Sequence, residues 1–553
     1  MNGPSINAPI WDQARRNCQK RRERGGQLAH GKQIAADDIV RLLETIIEPG
    51  DRVCIEGNNQ KQADFLAKSL VKTDPALVRD LHLVQSVLAL PEHVDLIEQG
   101  QVSLIDFSFS GQQAGRLATL VEQGRIKIGA IHTYLELFGR YFVDLTPKVA
   151  LIAAQMADRD GNLYTGPNTE DTPAIVEATA FKNGIVIAQV NEIVDKLPRV
   201  DIPADWVDFF VKAPTPHYIE PLFTRDPAQI TEIQILMGMI AIKGLYAEYG
   251  ITSLNHGIGF DTAAIELLLP TYAAELGLKG KICTHWALNP HPTLIPAIEA
   301  GFVQSVHSFG SEVGMENYIA ARPDIFFVGQ DGSMRSNRAF SQAAGHYACD
   351  LFIGSTLQID MGGNSSTATK GRISGFGGAP NMGSDARGRR HASSAWLRAG
   401  REGRGSNNMP RGQKLVAQIV ETSREHMQPA FVERLDAWDL AESAGMELPP
   451  VMIYGDDLTH IITEEGIAHV VRCQTSEERE QAIRGVAGYT QAGLARDKRM
   501  VDNLRDRGIV QYPQDLGIDK RMATRDLLAA RSIKDLVRAS GGLYNPPKHF
   551  RNW

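Results

Sequence analysis

Short apolar runs alternate along this chain with longer segments whose apolar residues recur every three or four positions. In the first part the runs are Arg52-Val53-Cys54-Ile55, His82-Leu83-Val84, residues 102–106, residues 126–131, Val149-Ala150-Leu151-Ile152-Ala153-Ala154 and residues 184–190. Runs of this length, apolar throughout, mark strands buried on both faces. Between them, residues 37–47, closed by Pro49-Gly50, and residues 61–71 have helical spacing. The alternation predicts an α/β protein with a mostly parallel sheet covered on both sides. Ligands of such sheets collect at the carboxyl ends of the strands.

A proline-rich break from Ala213-Pro214-Thr215-Pro216-His217 to Pro221 predicts a boundary near residue 220. Beyond it the pattern predicts a helix over 230–248 and a second αβ series, with strands at 251–254, 281–284, 325–328, 351–353 and 450–454. The expected organisation is two open, mostly parallel αβ domains, 31–220 and 221–505. A basic extension, 1–30, precedes them and a C-terminal extension, 506–553, follows. The first extension carries Arg15, Arg16, Lys20, Arg21, Arg22 and Arg24 with few apolar residues, and is expected to drape over a surface or a partner.

Composition narrows the classes. Of 553 residues 43% are hydrophobic and 22% charged, as in ordinary globular proteins. No run approaches the ~18 apolar residues of a membrane span, and no apolar stretch follows the basic start, so a cytoplasmic protein without a membrane role is expected. Five widely spaced cysteines without a CxxC pair indicate neither a disulfide framework nor a zinc site, and no metal is expected. A net charge of −7 and the lack of a reading motif speak against nucleic acid. Locally the sign reverses. From Arg387 to Lys414, Arg387, Arg389, Arg390, Arg398, Arg401, Arg404, Arg411 and Lys414 face one acid, Glu402. Such a run is either a solvated face or a seat for an anionic ligand or acidic partner.

It follows the most glycine-dense stretch, Ser374-Gly375-Phe376-Gly377-Gly378-Ala379-Pro380. Backbone without side-chain bulk can bring N–H groups close to a phosphate or a developing oxyanion. A tight structural turn is the other reading of the same residues.

Several stretches together resemble the CoA-transferase and acetyl-CoA hydrolase superfamily, whose members have two open αβ domains. They are residues 147–152, Asp158-Arg159-Asp160-Gly161-Asn162-Leu163, residues 186–191, Leu197-Pro198-Arg199, Gly257-Ile258-Gly259, the glycine-dense stretch, residues 457–468 and Thr475-Ser476-Glu477-Glu478-Arg479. Within it the chain is most similar to the malonate decarboxylase alpha-subunit family, through Asn255-His256-Gly257-Ile258-Gly259-Phe260-Asp261, Ile282-Cys283-Thr284-His285-Trp286-Ala287 and the basic segment.

The resemblance implies that malonate displaces acetate from a thioester on a small acyl carrier protein. The carrier's arm is derived from dephospho-CoA, the chain itself binds no cofactor, and the malonyl carrier passes to separate decarboxylase subunits. Such an exchange needs a carbonyl held beside the attacking oxygen with its charge stabilised. Backbone N–H groups at Gly377, Gly378, Gly257 and Gly259, with Gly375 and Asn255 beside them, are the candidates. Arg372 or Arg387 would hold the second carboxylate of malonate, and Arg387, Arg389 and Arg390 would dock the acidic carrier. The superfamily's nucleophilic glutamate falls on His285 here, and Glu312, in Gly310-Ser311-Glu312-Val313-Gly314, is the other catalytic candidate. Without a glutamate, malonate attacks the thioester directly. A free CoA transferase, a citrate lyase alpha-type subunit and a non-catalytic carrier-presenting scaffold are the alternatives.

Overall fold

Helix α2 (Ile39–Ile46) buries Ile39, Leu42, Leu43 and Ile46, the single stripe that 3.6-residue spacing predicts. Each fully buried aliphatic side chain contributes roughly 1.5–3 kcal/mol, which holds an eight-residue helix too short to persist alone. The computed structural model containing it describes residues 10–58, 61–166, 168–308, 310–326, 336–337, 349–382, 414–424, 428–551 and 553. They group into two compact units, Met1–Glu220 with Ser443–Leu448, and Pro221–Glu442 with Pro449–Trp553.

The first unit is built on a nine-stranded sheet of β1 (Gln33–Ile34), β2 (Arg52–Ile55), β3 (Leu81–Val87), β4 (Val102–Phe109), β5 (Lys127–Ile131), β6 (Val149–Ala157), β7 (Leu163–Tyr164), β8 (Ile185–Ile193) and β9 (Phe209–Lys212). The order is β1-β9-β8-β6-β2-β3-β4-β5, with β7 antiparallel to β6 and the other pairings parallel. Val149 to Ala154 are fully buried, which is why that run carries no polar alternation.

Residues 10–26 of the basic stretch form helix α1 (Ile10–Gly26). Two of its cations anchor it: Arg21 pairs with Asp51 at 2.5 Å and Arg22 with Asp208 at 2.7 Å. A Cβ on Gly25 would stand 2.9 Å from both Ile46 and Phe209, so the glycine lets α1 lie directly on α2 and β9. Its polarity concealed this packing, because the anchors are ion pairs and a glycine.

The second unit has an eight-stranded sheet of β10 (Ser253–His256), β11 (His285–Leu288), β12 (Ser305–Ser308), β13 (Leu351–Ser355), β14 (Leu415–Ile419), β15 (His460–Ile462), β16 (Ile467–Ala468) and β17 (Val510–Gln511). The order is β12-β11-β10-β13-β14-β15-β16-β17, parallel up to β15 and antiparallel beyond. Alternation along β13 sends Leu351 and Ile353 to one core cluster and Phe352 to the other, one on each face. Ile533, Leu536 and Tyr544, from the stretch read as a C-terminal extension, are buried in the first of these clusters.

Several strand assignments shift: 251–254 begins at Ser253, and of 325–328 only Phe326 bridges, to Val306, while 327 and 328 lie outside the described residues. Residues 281–284, predicted as a strand, form a turn in which Cys283 has φ +56° and its carbonyl accepts from Trp286 Nε1 at 2.8 Å. The strand begins only at His285. Residues 450–454 stay outside the large sheet and contribute an isolated bridge, Ser365 to Ile453.

Candidate active site

In each large sheet the strand order reverses beside one strand, and the crevice at that point is where open αβ sheets bind ligands. In the first unit it lies between β2 and β6, and the chain leaving β2 carries Glu56, Gly57 and, after a turn, Lys61. Lys61 Nζ lies 3.2 Å from Glu56 Oε1, Thr172 Oγ1 bonds Glu56, and the Ala153 amide donates to Glu56 Oε2 at 2.8 Å. Burial pushes the Glu56 carboxyl up, against the pull of Lys61 and Thr172. A Cβ on Gly57 would stand 2.7 Å from the Val87 carbonyl oxygen, so this position holds only glycine without rearrangement. Glu56, Lys61 and Thr172 are buried and mutually satisfied, an arrangement that fixes the loop rather than presenting reactive atoms.

In the second unit the reversal falls between β10 and β13. The Gly257 amide donates to the Ile353 carbonyl at 2.7 Å, and a Cβ there would lie 3.0 Å from Gly354 Cα. Gly257 therefore serves close approach of the two strand ends, and its N–H is already committed. Gly259 is extended, at φ −178°, and its smallness matters because a Cβ would stand 3.1 Å from Ser355 Oγ. Asn255 donates its side-chain amide to the Ala287 carbonyl, tying β10 to β11. The loop opens helix α3 (Phe260–Leu268), whose first turn carries Asp261.

Ser355, the last residue of β13, donates to Asp261 Oδ2 at 2.8 Å, while Asp261 Oδ1 is buried without a hydrogen-bond partner among the described residues. The residue as a whole keeps some exposure. Burial pushes that carboxyl up to about 6; Ser355 opposes the shift, and Glu421 and Glu464, on the loops after β14 and β15, add to it. Burial raises Glu421 as well, with Glu464 reinforcing. Glu464 accepts from the Thr422 amide at 3.0 Å. At the end of β11, Asn289 is buried with its Oδ1 unpartnered. Arg225 lies 5.8 Å from the centroid of the Phe260 ring. Beneath the loop, Glu266 is bonded by His256 at 3.0 Å and His291 at 2.9 Å. Burial opposes its ionisation, but the two imidazoles outweigh burial and hold it well below the usual carboxylate range.

The glycine-dense stretch belongs to the same unit. Gly375 and Gly377 adopt φ +78° and +58°, and Thr367 Oγ1 donates to the Gly375 carbonyl. Gly378 accepts from the Asn381 amide at 3.1 Å, and the short helix Ala379–Met382 packs against β13. Arg372 is exposed on a hairpin, its Nε donating to Ser374 Oγ at 3.1 Å. Arg387, Arg389 and Arg390 lie outside the described residues.

The two catalytic nominations stand apart from this edge in different ways. His285 is the first residue of β11, exposed, with Nδ1 2.8 Å from Ser305 Oγ. Its parallel partners are Ser253 and Ser305, the amino ends of β10 and β12, so it occupies the edge opposite Gly257, Gly259 and Asp261. The four-residue shift of the strand is the cause. Glu312 follows β12 on the carboxyl side but is fully buried. Thr224 Oγ1 donates to it at 2.8 Å and itself lies 3.3 Å from the Tyr544 hydroxyl. Burial pushes Glu312 up to about 8, with Thr224 and Arg225 opposing, so it is largely neutral at pH 7 and a poor nucleophile. Among the described residues no group of three His, Cys, Asp or Glu is placed to hold a metal ion, and no helix is long and apolar enough to cross a membrane.

Two parallel αβ sheets with glycine loops at the carboxyl edge define a protein of the CoA-transferase fold. The alpha subunit of Streptococcus mutans citrate lyase superposes with a TM-score of 0.57 over 94% of this chain and 87% of its own, at 14% identity, and shows the fold alone. The chain belongs to the malonate decarboxylase alpha-subunit family: the model described as "Malonate decarboxylase, alpha subunit, transporter" matches residues 10–553. It is 60% identical, over 98% of its length and 99% of the relative's, to the acetyl-S-ACP:malonate ACP transferase of Malonomonas rubra. A chain of a Pseudomonas malonate decarboxylase hetero-tetramer, solved in complex with malonate, matches at 58% identity with a TM-score of 0.91, covering 99% of this chain and 100% of that one.

Proposed function

We propose that this chain is the transferase that moves an acyl carrier protein thioester from acetate to malonate. The reading is carried by 60% identity over 98% of the chain to a protein of that activity. A carboxylate oxygen of malonate attacks the acetyl thioester carbonyl, the C–S bond breaks, and the carrier thiolate leaves an acetyl–malonyl anhydride. The thiolate then attacks the malonyl carbonyl and expels acetate, so no proton is gained or lost overall. Glu312 is buried with its carboxyl pushed up to about 8 and His285 occupies the opposite edge, which favours direct attack by malonate over an acyl-enzyme on either residue.

The substrate arm is the carrier's dephospho-CoA derivative, and the chain supplies no cofactor of its own. It works in a cytoplasmic assembly with the carrier and decarboxylase subunits, as the hetero-tetramer of its Pseudomonas relative suggests. Purified chain given acetyl carrier or acetyl-CoA, with labelled malonate or citrate, tests this. Label entering the carrier from malonate is expected. Preference for acetyl-CoA or for citrate would assign the chain to a free CoA transferase or a citrate lyase-type subunit instead.

A further inference from the structure

We infer that Asp261 recognises a carboxylate of the substrate as a hydrogen-bond donor, through the oxygen that Ser355 leaves unpartnered. Asp261 sits where the strand order of the large sheet reverses, on the loop that leaves β10, held by the end residue of β13. Its Oδ2 accepts from Ser355 at 2.8 Å, which leaves Oδ1 to carry a proton, and that buried atom has no hydrogen-bond partner among the described residues. A buried donor without an acceptor is costly unless a ligand provides one.

The charges acting on Asp261 point the same way. Glu421 and Glu464 approach from the loops after β14 and β15, and both are acids. Arg225 lies over the ring of Phe260, and Glu266 lies further along α3 between His256 and His291. A malonate carboxylate arriving among three acids is repelled if all are ionised. It is bound if one of them holds the shared proton, since two carboxyl groups in contact cannot both ionise. Burial has already pushed Asp261 up to about 6, and an added anion raises it further. The acid that forms contacts the carboxylate of malonate that does not attack, so it distinguishes a dicarboxylate from acetate. This inference rests on reading the edge as the acyl-exchange site.

Malonate binding to the full chain, followed by titration calorimetry between pH 5.5 and 8.5 in buffers of differing ionisation enthalpy, tests it. The wild type is expected to take up close to one proton per malonate near pH 7.5, and to lose affinity by up to tenfold per pH unit above about 6.5. Asp261→Asn, which keeps a donor but cannot titrate, is expected to bind without that uptake and with a flatter slope. Comparing the two proteins cancels the ligand's own titration. Wild-type binding without proton uptake would overturn the inference even if the variant fails to fold, as would an Asp261→Asn chain with an unchanged slope. A wild type that transfers the thioester yet shows no linkage would leave the site reading standing and sink this one; a wild type that binds no malonate would overturn both.

Discussion

Ser355 Oγ donates to Asp261 Oδ2 at 2.8 Å and so fastens the end of β13 to the loop leaving β10, across the reversal of strand order. The bond both positions the carboxyl and draws its pKa down against burial. Ser355→Ala is expected to leave the fold intact, with a loss of about 1 kcal/mol. It should shift the pH dependence of malonate KM to higher pH, because Asp261 then holds its proton more firmly. Steady-state kinetics across pH checks this; an unshifted profile would detach Ser355 from the site.

Glu312 ties stability to pH. Its folded value of about 8 lies above the ordinary carboxylate range, so between about pH 4.5 and 8 the folded chain binds more protons than the unfolded one. Stability is then fully expressed at low pH and declines as pH rises through that window, by roughly 3 kcal/mol at neutral pH. Glu312→Gln keeps the shape and removes the decline, so thermal melts of variant and wild type should coincide near pH 5 and separate in the variant's favour at pH 8. A covalent role predicts that this variant loses transfer completely; the buried, neutral geometry predicts that transfer survives.

In the first unit Asp106 bridges His82 at 2.7 Å and His132 at 2.6 Å. Burial works against the Asp106 charge, but the two imidazoles hold its carboxyl down at about 2, and His132 is raised in return despite its own burial. The depressed acid contributes stability above about pH 4 that is lost as pH falls toward 2. The raised imidazole contributes below about pH 6.5 and is lost as pH rises through its folded value. Stability from this trio therefore peaks between those limits. Asp106→Asn should destabilise by about 3 kcal/mol near pH 6, since it leaves buried imidazole without its counter-charge. Chemical denaturation at pH 6 and pH 9 measures it, with a smaller loss expected at the higher pH.

The architecture was readable wherever burial alone dictates residue type. Val149 to Ala154 could only be a central strand, and the proline-rich break at 213–221 coincides with the change of unit after Glu220. Reading failed where conformation overrides hydrophobicity. Residues 281–284 look like a strand, but Cys283 takes a left-handed turn, and the four-residue displacement places His285 at the amino edge of the sheet. Gly257 and Gly259 act there as spacers, with the Gly257 amide already committed to the Ile353 carbonyl. Ser355 and Glu421 carried no local signal, and Glu464 stood out only as part of the family-like stretch 457–468. They lie 94 or more residues from Asp261 and meet it only because parallel strands deliver their carboxyl ends to one side.

Intact-mass measurement of the chain after acetyl carrier is added alone, followed by malonate, tests whether malonate attacks directly at the carboxyl edge of the second unit. Direct attack gives an unchanged protein mass before malonate and malonyl carrier after it. An acetyl adduct on the chain that malonate then removes would contradict it and reveal a protein nucleophile.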